Sequence, residues 1–284
     1  MRYLARGMTL VELVVTIAVG SIVVAFMAMF IVTPMQAYTG QARRAELVDD
    51  ADSALRLIGR DLRTALPNSV RVTTSGAVTA LEFLTTVDGA RYRDSGPLTN
   101  AALELDFAAA DSAFATTVPF TQLTLPWTSA TSYLVIYNVG VPGANAYEMT
   151  NVITPAGITI SIAAGSTANE NLVTLSAPFK FAYGSPGKRV YLVSGPVTYL
   201  CDTTAGTLRR YSGYSIAGTQ PASASALTTL GASAALVAAD IGACQFTFTS
   251  GTAQRNALAT LTLQLTRSGE SVQLLNEVQL VNTP

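Results

Sequence analysis

The sequence predicts an α+β protein in which one long N-terminal helix packs on a mainly antiparallel β-sheet domain. Three observations carry this. The chain opens on an apolar run with no proline before Pro34. That run passes into a charged segment whose apolar residues keep helical spacing. From residue 70 onward, short apolar stretches alternate with turn residues, and no strand–helix–strand alternation interrupts them.

The first element is residues 8–32, in which the polar side chains are Thr9, Glu12, Thr16 and Ser21. As a helix, a run of about 25 residues spans roughly 37 Å, enough for the ~30 Å hydrocarbon core of a bilayer. Arg2 and Arg6 precede it, and no charge follows until Arg43. This bias predicts a cytoplasmic N-terminus and a translocated C-terminus. A secretory signal peptide would have a shorter apolar core and a small-residue cleavage site after it. A plain single-span anchor explains everything except Glu12. A carboxylate costs about 2.5–3.5 kcal/mol at mid-bilayer and less near an interface, and a helix N-terminus favours it. Ser21, Ala25 and Ala28 form a small-residue stripe that would let helices approach closely.

The second element runs from residue 36 to 66. Leu47, Ala51, Ala54, Leu55, Ile58, Leu62 and Ala65 recur at three- and four-residue steps. Arg43, Arg44, Glu46, Asp49, Asp50, Asp52, Arg56, Arg60 and Arg63 fill the other face. Asp52 and Arg56 stand i, i+4 in the favourable acid-first order. Pro67-Asn68 is the expected stop. One helix is therefore expected over about residues 8–66, with Pro34 the place where it could bend, and its apolar stripe should pack on the C-terminal domain.

The rest reads as β. Candidate strands are residues 80–85, 103–107, 133–138, 158–162, 172–175, 189–193, 197–201, 208–212, 244–249, 257–266 and 270–281. Over 258–266 the side chains alternate polar and apolar, the mark of a half-buried strand. Arg267-Ser268-Gly269-Glu270 is a turn that makes the last two strands an antiparallel hairpin. Residues 215–235 read as a mobile loop poor in charge, with a short helix near 234–240. Cys201 and Cys244 bracket that loop. They lie in a domain that the charge bias places outside the cytoplasm, so we expect them to form a disulfide. Closing a loop of about 44 residues is worth roughly 4 kcal/mol in the chain-entropy picture.

Composition narrows the function classes. Only 12% of residues are charged and the formal net charge is −1, which leaves no general basic face for nucleic acid. The chain has no histidine, which removes the commonest general base, the commonest metal ligand and every Ser-His or Cys-His pair. Gly184-Ser185-Pro186-Gly187-Lys188 lacks the spacing of a phosphate loop. Asp202-Thr203-Thr204 reads as a turn. Asp88, Asp94, Glu104, Asp106 and Asp111 could bind Ca²⁺ if they converged. No catalytic constellation, cofactor site or other metal site is expected.

The string Arg6-Gly7-Met8-Thr9-Leu10-Val11-Glu12-Leu13 resembles the signal of type IV prepilins and pseudopilins: a short basic leader ending in Gly, an apolar residue, then Thr-Leu-(Ile/Val)-Glu at the head of a long apolar helix. The resemblance implies cleavage between Gly7 and Met8 by a prepilin peptidase, N-methylation of the new Met8 amine, and assembly roles for Glu12 and Thr9. Glu12 would pair with a positive amine on a neighbouring subunit. The implied organisation is a leader at 1–7, a transmembrane half-helix at 8–32, an amphipathic periplasmic half at 33–66 and a β-rich head at 67–284, together the type IV pilin fold.

The segments RRAELVDDADSALRLIGRDLRTALPNSVRV, VTYLCDTTAGTLRRYSGY and LLNEVQLVNTP are similar to minor pilins of the PulJ/PilW type, most closely the MshO-type minor pilins of mannose-sensitive haemagglutinin pili. The implied partners are the prepilin peptidase, other major and minor pilins met through the helix, and an inner-membrane assembly platform, with the membrane itself as first host. The implied role is a structural subunit near the fibre tip that primes assembly. A type II secretion pseudopilin is one alternative. The other is a tip adhesin that binds surface glycans through exposed tyrosines or Trp127.

Overall fold

A computed structural model describes residues 7–94, 103–167, 169–252, 255–281 and 283–284, with the backbone alone at 32–34, 36 and 37. Helix α1 runs from Leu10–Leu62, 53 residues, or about 80 Å at 1.5 Å per residue. Its backbone stays helical across Pro34. The leader lies outside the described residues apart from Gly7.

The second half of α1 is buried along one stripe. Leu47, Ala51, Ala54, Leu55, Ile58 and Leu62 are all buried, and Ala65 packs at their edge. The opposite face keeps its charges in water, and Arg56 pairs with Asp52 at 2.7 Å. The expected end at Pro67 is corrected. The helix stops at Leu62 because Thr64 and Ala65 turn back onto the carbonyls of Asp61 and Leu62. Leu66 N–H then bonds Leu84 O at 2.8 Å, which pulls the chain out of the helix and into the sheet.

Thirteen strands follow among the described residues, and every pairing among them is antiparallel. They are β1 (Arg71–Ser75), β2 (Val78–Tyr92), β3 (Asp111–Val118), β4 (Trp127–Ser129), β5 (Tyr133–Val135), β6 (Ile160–Ala164), β7 (Asn171–Phe179), β8 (Arg189–Asp202), β9 (Thr207–Ser212), β10 (Ser233–Ala239), β11 (Ile241–Thr249), β12 (Ala257–Arg267) and β13 (Glu270–Leu280). The long strands β2 and β8 pair from Val78↔Asp202 to Arg91↔Arg189 and form the spine of a ten-stranded sheet. At one end the spine carries β1, β9 and β10; at the other it carries β3, β5, β7, β6 and β4. A separate sheet, β11–β12–β13, closes over α1.

Two cores result. The helix-proximal core joins the buried stripe of α1 to Phe83, Val197 and Tyr199 of the large sheet and to Leu261, Leu263 and Val278 of the small one. A Cβ at Gly59 would lie 3.4 Å from Val278 Cγ2, so α1 and β13 nearly touch there. The distal core is built from the other end of the spine and holds Tyr92, Phe114, Ile160, Val173 and Leu192. Cys201 on β8 and Cys244 on β11 are joined by a disulfide, S–S 1.98 Å, which ties the large sheet to the small one.

Several local expectations are corrected. Residues 103–107 form no strand: Ala108 N–H bonds Asp106 Oδ1 and Asp106 N–H bonds Asp111 Oδ2, so local carboxylate turns replace a ladder. The strand at 133–138 ends at Val135, just before Tyr137 takes φ +61°. The two strands expected at 189–193 and 197–201 are one strand, whose register shifts near Gly195 (φ 126°). Residues 215–235 are not a loop throughout. Ser223 caps a short helix α2 (Ala224–Thr229), whose Leu227 is buried. The helix expected near 234–240 is strand β10 instead, held by Tyr211 and Arg210 of β9 across from Ala234 and Ala235. The last hairpin turns at Ser268 (φ 50°) and Gly269 (φ 83°) with Arg267 opposite Glu270, the two-residue turn that favours positive φ at both positions.

A buried polar network locks the loop after β9 to the sheet. Glu82 on β2 is fully buried and pairs with Arg71 Nε at 2.8 Å. Tyr214 Oη donates to Glu82 Oε1 at 3.0 Å. The Arg71 guanidinium lies 3.6 Å from the Tyr147 ring centroid and donates to the carbonyls of Ala217 and Gly218. Burial pushes the Glu82 carboxyl above its ordinary value of 4.5, while Arg71 and Tyr214 pull it back.

Two outcomes follow. Ile58→Ala should cost about 2–5 kcal/mol in chemical denaturation, because it opens a cavity at the helix–sheet contact, while Val48→Ala on the exposed face should change little. Glu82 holds its proton more readily folded than unfolded. Its contribution is therefore largest below pH 4.5 and declines as pH rises through the raised folded value. The stability of Glu82→Gln relative to wild type should accordingly be more favourable to the variant at about pH 7 than at about pH 4. A difference independent of pH would show that the carboxyl is unperturbed.

Candidate functional site

The residues that carry the functional signal lie at the start of α1. Gly7 and Met8 precede the helix and are exposed, and nothing crowds Gly7 within 4 Å. The peptide bond between them therefore lies outside the helical hydrogen-bond ladder.

Thr9 is the N-cap, with φ −76° and ψ 154°. Its hydroxyl accepts from Glu12 N–H at 3.2 Å, and Thr9 N–H donates to Glu12 Oε2 at 3.4 Å. This is a capping box, in which Thr and Glu three apart satisfy each other's free backbone donors. Its Thr-x-x-Glu pattern stands in the sequence. It gives Glu12 a role inside its own chain: the carboxylate sits at the positive end of the helix and satisfies a donor that a membrane could not.

Beyond the cap, Leu10–Ile31 forms a span of 22 residues with mean hydropathy 2.6, none of it buried by the rest of the chain. Leu10, Phe30 and Met29 are each more than two-thirds exposed. The polar side chains within it turn inward to the backbone. Thr16 Oγ1 donates to Glu12 O and Leu13 O at 2.9 Å, and Ser21 Oγ donates to Ala18 O at 2.8 Å. Such local bonds remove the cost of a hydroxyl in lipid. The Glu12 carboxylate is then the one acidic group in the span. Ala25 and Ala28 line this helix with no partner from the head.

The head supplies no second constellation among the described residues. Asp88 accepts from Gly89 N–H and Gln122 N–H, and Asp94 pairs with Lys188. Asp106 and Asp111 close their own turns. Together with Glu104, these five carboxylates are not brought together, and no cluster of three metal-ligating side chains forms among the described residues. Asp202 Oδ1 accepts from Thr204 and Ala205 N–H, each at 2.9 Å, as an ordinary Asx turn. Lys188 turns with φ +55° and reaches Asp94. Trp127 on β4 packs against the distal core.

Comparison with known proteins bears on this same segment. Residues 2–28 match the prokaryotic N-terminal methylation motif. No curated protein and no solved structure matches the chain. An N-terminal methylation motif opening an apolar helix, followed by a mostly antiparallel β domain, marks a type IV pilin-like protein, of a pilus or a pseudopilus.

Proposed function

We propose that the chain is a minor pilin of a type IV pilus, of the MshO type, processed between Gly7 and Met8 by a prepilin peptidase and N-methylated at Met8. It waits in the bacterial inner membrane with its head in the periplasm, then passes through an assembly platform into a fibre with other major and minor pilins. The observation that carries this reading is the asymmetry of α1. One stripe of residues 47–62 is buried by the chain's own head, while residues 10–31, largely apolar, are exposed all round and covered by none of the other described residues. Lipid can cover them first and neighbouring helices afterwards.

Glu12 acts in that exchange. An acid in the lipid phase is costly, and an unpaired one inside a helix bundle costs several kcal/mol. After cleavage the Met8 amine of a neighbouring subunit offers a cation. A subunit is then favoured at the register where its carboxylate meets that amine. The tip position rests on the head, which carries a whole distal core beyond the one that packs on α1. So large a head would crowd a uniform fibre.

The direct test expresses the chain with and without a prepilin peptidase and reads its N-terminus by mass spectrometry. The reading expects a methylated Met8 terminus only with the peptidase; an intact Met1 or cleavage elsewhere would overturn it. Glu12→Ala should still be cleaved and still reach the membrane, but its recovery in sheared fibres should fall about tenfold. That loss corresponds to roughly 1.4 kcal/mol of assembly free energy. Undiminished recovery would remove the pairing role.

A further inference from the structure

The solvent face of the β2–β8 spine, at its distal end, holds two arginines with no acid to meet. Ala90, Tyr92, Val190 and Leu192 are buried in the distal core. Strand alternation therefore puts Gly89 and Arg91 of β2, and Arg189 and Tyr191 of β8, on the other face. Arg91 stands directly opposite Arg189, and Gly89 opposite Tyr191. Like charges in that position repel each other. Elsewhere in the head, Arg71, Arg93, Arg210 and Arg267 each hold a carboxylate. Among the described residues the Arg91 side chain has no partner, and Arg189 makes one long bond, 3.4 Å, to Thr283 O. Both arginines line a groove of about 240 Å³ with Gly89, Val118 and Tyr191. The Tyr191 ring leans over Gly89, its Cδ1 3.3 Å from where a Cβ would stand, and so uses space that a side chain would fill. Tyr191 also lines a second groove of about 240 Å³, with Arg63, Thr86 and Val281. Among the described residues, Arg63 meets no acid and the buried Thr86 hydroxyl has no partner.

We propose that the two grooves form one site for an acidic polysaccharide, a chain of uronic-acid units whose carboxylates are taken by Arg91 with Arg189 and by Arg63. The lining selects this class. A guanidinium holds a carboxylate through two parallel N–H donors, and an anion bound between Arg91 and Arg189 also removes their mutual repulsion. The Tyr191 ring, common to both grooves, offers an electronegative face to the weakly positive C–H groups of a sugar ring. Its hydroxyl donates to Thr283 O at 3.0 Å, which fixes the ring. The Thr86 hydroxyl gives a sugar hydroxyl a partner that it lacks within the chain. Other acidic macromolecules fit less well. An extended peptide joins a sheet through a free strand edge, but β2 lies between β8 and β3 here, and β8 between β2 and β5 at Tyr191. A nucleic-acid backbone calls for a longer track of cations along its phosphates than these three arginines make. This site goes beyond the pilin reading and does not rest on it.

Fluorescence anisotropy on the full chain, purified in detergent micelles, tests this. The labelled probes are oligogalacturonate, its methyl ester, poly-glutamate and single-stranded DNA, all at physiological salt. The free-acid oligosaccharide should bind about tenfold more tightly than each of the other three. Arg91→Gln and Arg189→Gln should each weaken it about tenfold, and Arg63→Gln about threefold, the scale of losing charge-assisted hydrogen bonds. Arg209→Gln, on β9 and outside both grooves, should leave binding unchanged. Without ligand, Arg91→Gln should melt no lower than wild type, because it relieves a like-charge pair. A lower melting temperature would make Arg91 a structural residue and overturn the site. Equal binding of the methyl ester would overturn carboxylate recognition, and equal or tighter binding of poly-glutamate or DNA would overturn the sugar as ligand. No binding, or a loss with Arg209→Gln equal to that with Arg91→Gln, would overturn the site. The Met8 terminus is read separately, so failure of the pilin reading and failure of this site are distinguishable.

Discussion

The structure is governed by a largely apolar span of 22 residues that none of the other described residues covers. A helix of this hydropathy left in water would expose far more apolar surface than a soluble monomer tolerates. Residues 10–31 therefore need cover from outside the described chain, such as a bilayer provides. This need fixes the features around the span. The hydroxyls of Thr16 and Ser21 turn back to the backbone. The free donors of the helix start are met by the Thr9–Glu12 capping box. Basic residues precede the span and the first charge after it is Arg43.

The same helix then changes solvent without changing structure. From Leu47 onward one stripe is buried by the two sheets, and the head is organised around it. The β2–β8 spine passes from this core into the distal one, so the large sheet links a lobe that grips α1 with a lobe that does not. Three devices hold the gripping lobe together. The Cys201–Cys244 disulfide joins its sheets. The Arg71–Glu82 pair fastens the loop after β9. Asp61 receives both Arg210 and the Tyr199 hydroxyl, each at 2.8 Å. Together these make the distal half of α1 a rigid arm on which the apolar half stands.

The sequence made this division readable because helical periodicity is strong when one face is wholly buried. Leu47, Ala51, Ala54, Leu55, Ile58 and Leu62 stand out for that reason, as does the alternation in β12. The failures have equally specific causes. The helix end was misplaced because Leu66 prefers a ladder partner in β2 to another helical turn, a tertiary contact no local pattern announces. Residues 215–235 look structureless because Ala, Ser and Thr carry little periodic signal, yet Ser223 caps a helix there and β10 pairs along β9. The acidic residues between 88 and 111 suggest a cation site because composition records proximity along the chain; in space they form no cluster of three among the described residues, Asp106 and Asp111 sharing a turn while Asp94 pairs with Lys188. At the functional segment, Gly7, Met8 and Glu12 were legible as a motif, whereas the bonding of Glu12 to Thr9 needed the structure.

Residues 8–32 alone should commit the chain to a membrane, while the remainder folds on its own arm of α1. Alkaline carbonate extraction of membranes from cells making the full chain, beside cells exporting a chain that begins at residue 36, tests this directly. The full chain should stay in the membrane pellet, while the shorter one should be recovered soluble with its Cys201–Cys244 disulfide formed. Release of the full chain into the carbonate supernatant, or retention of the shorter one in the pellet, would contradict it.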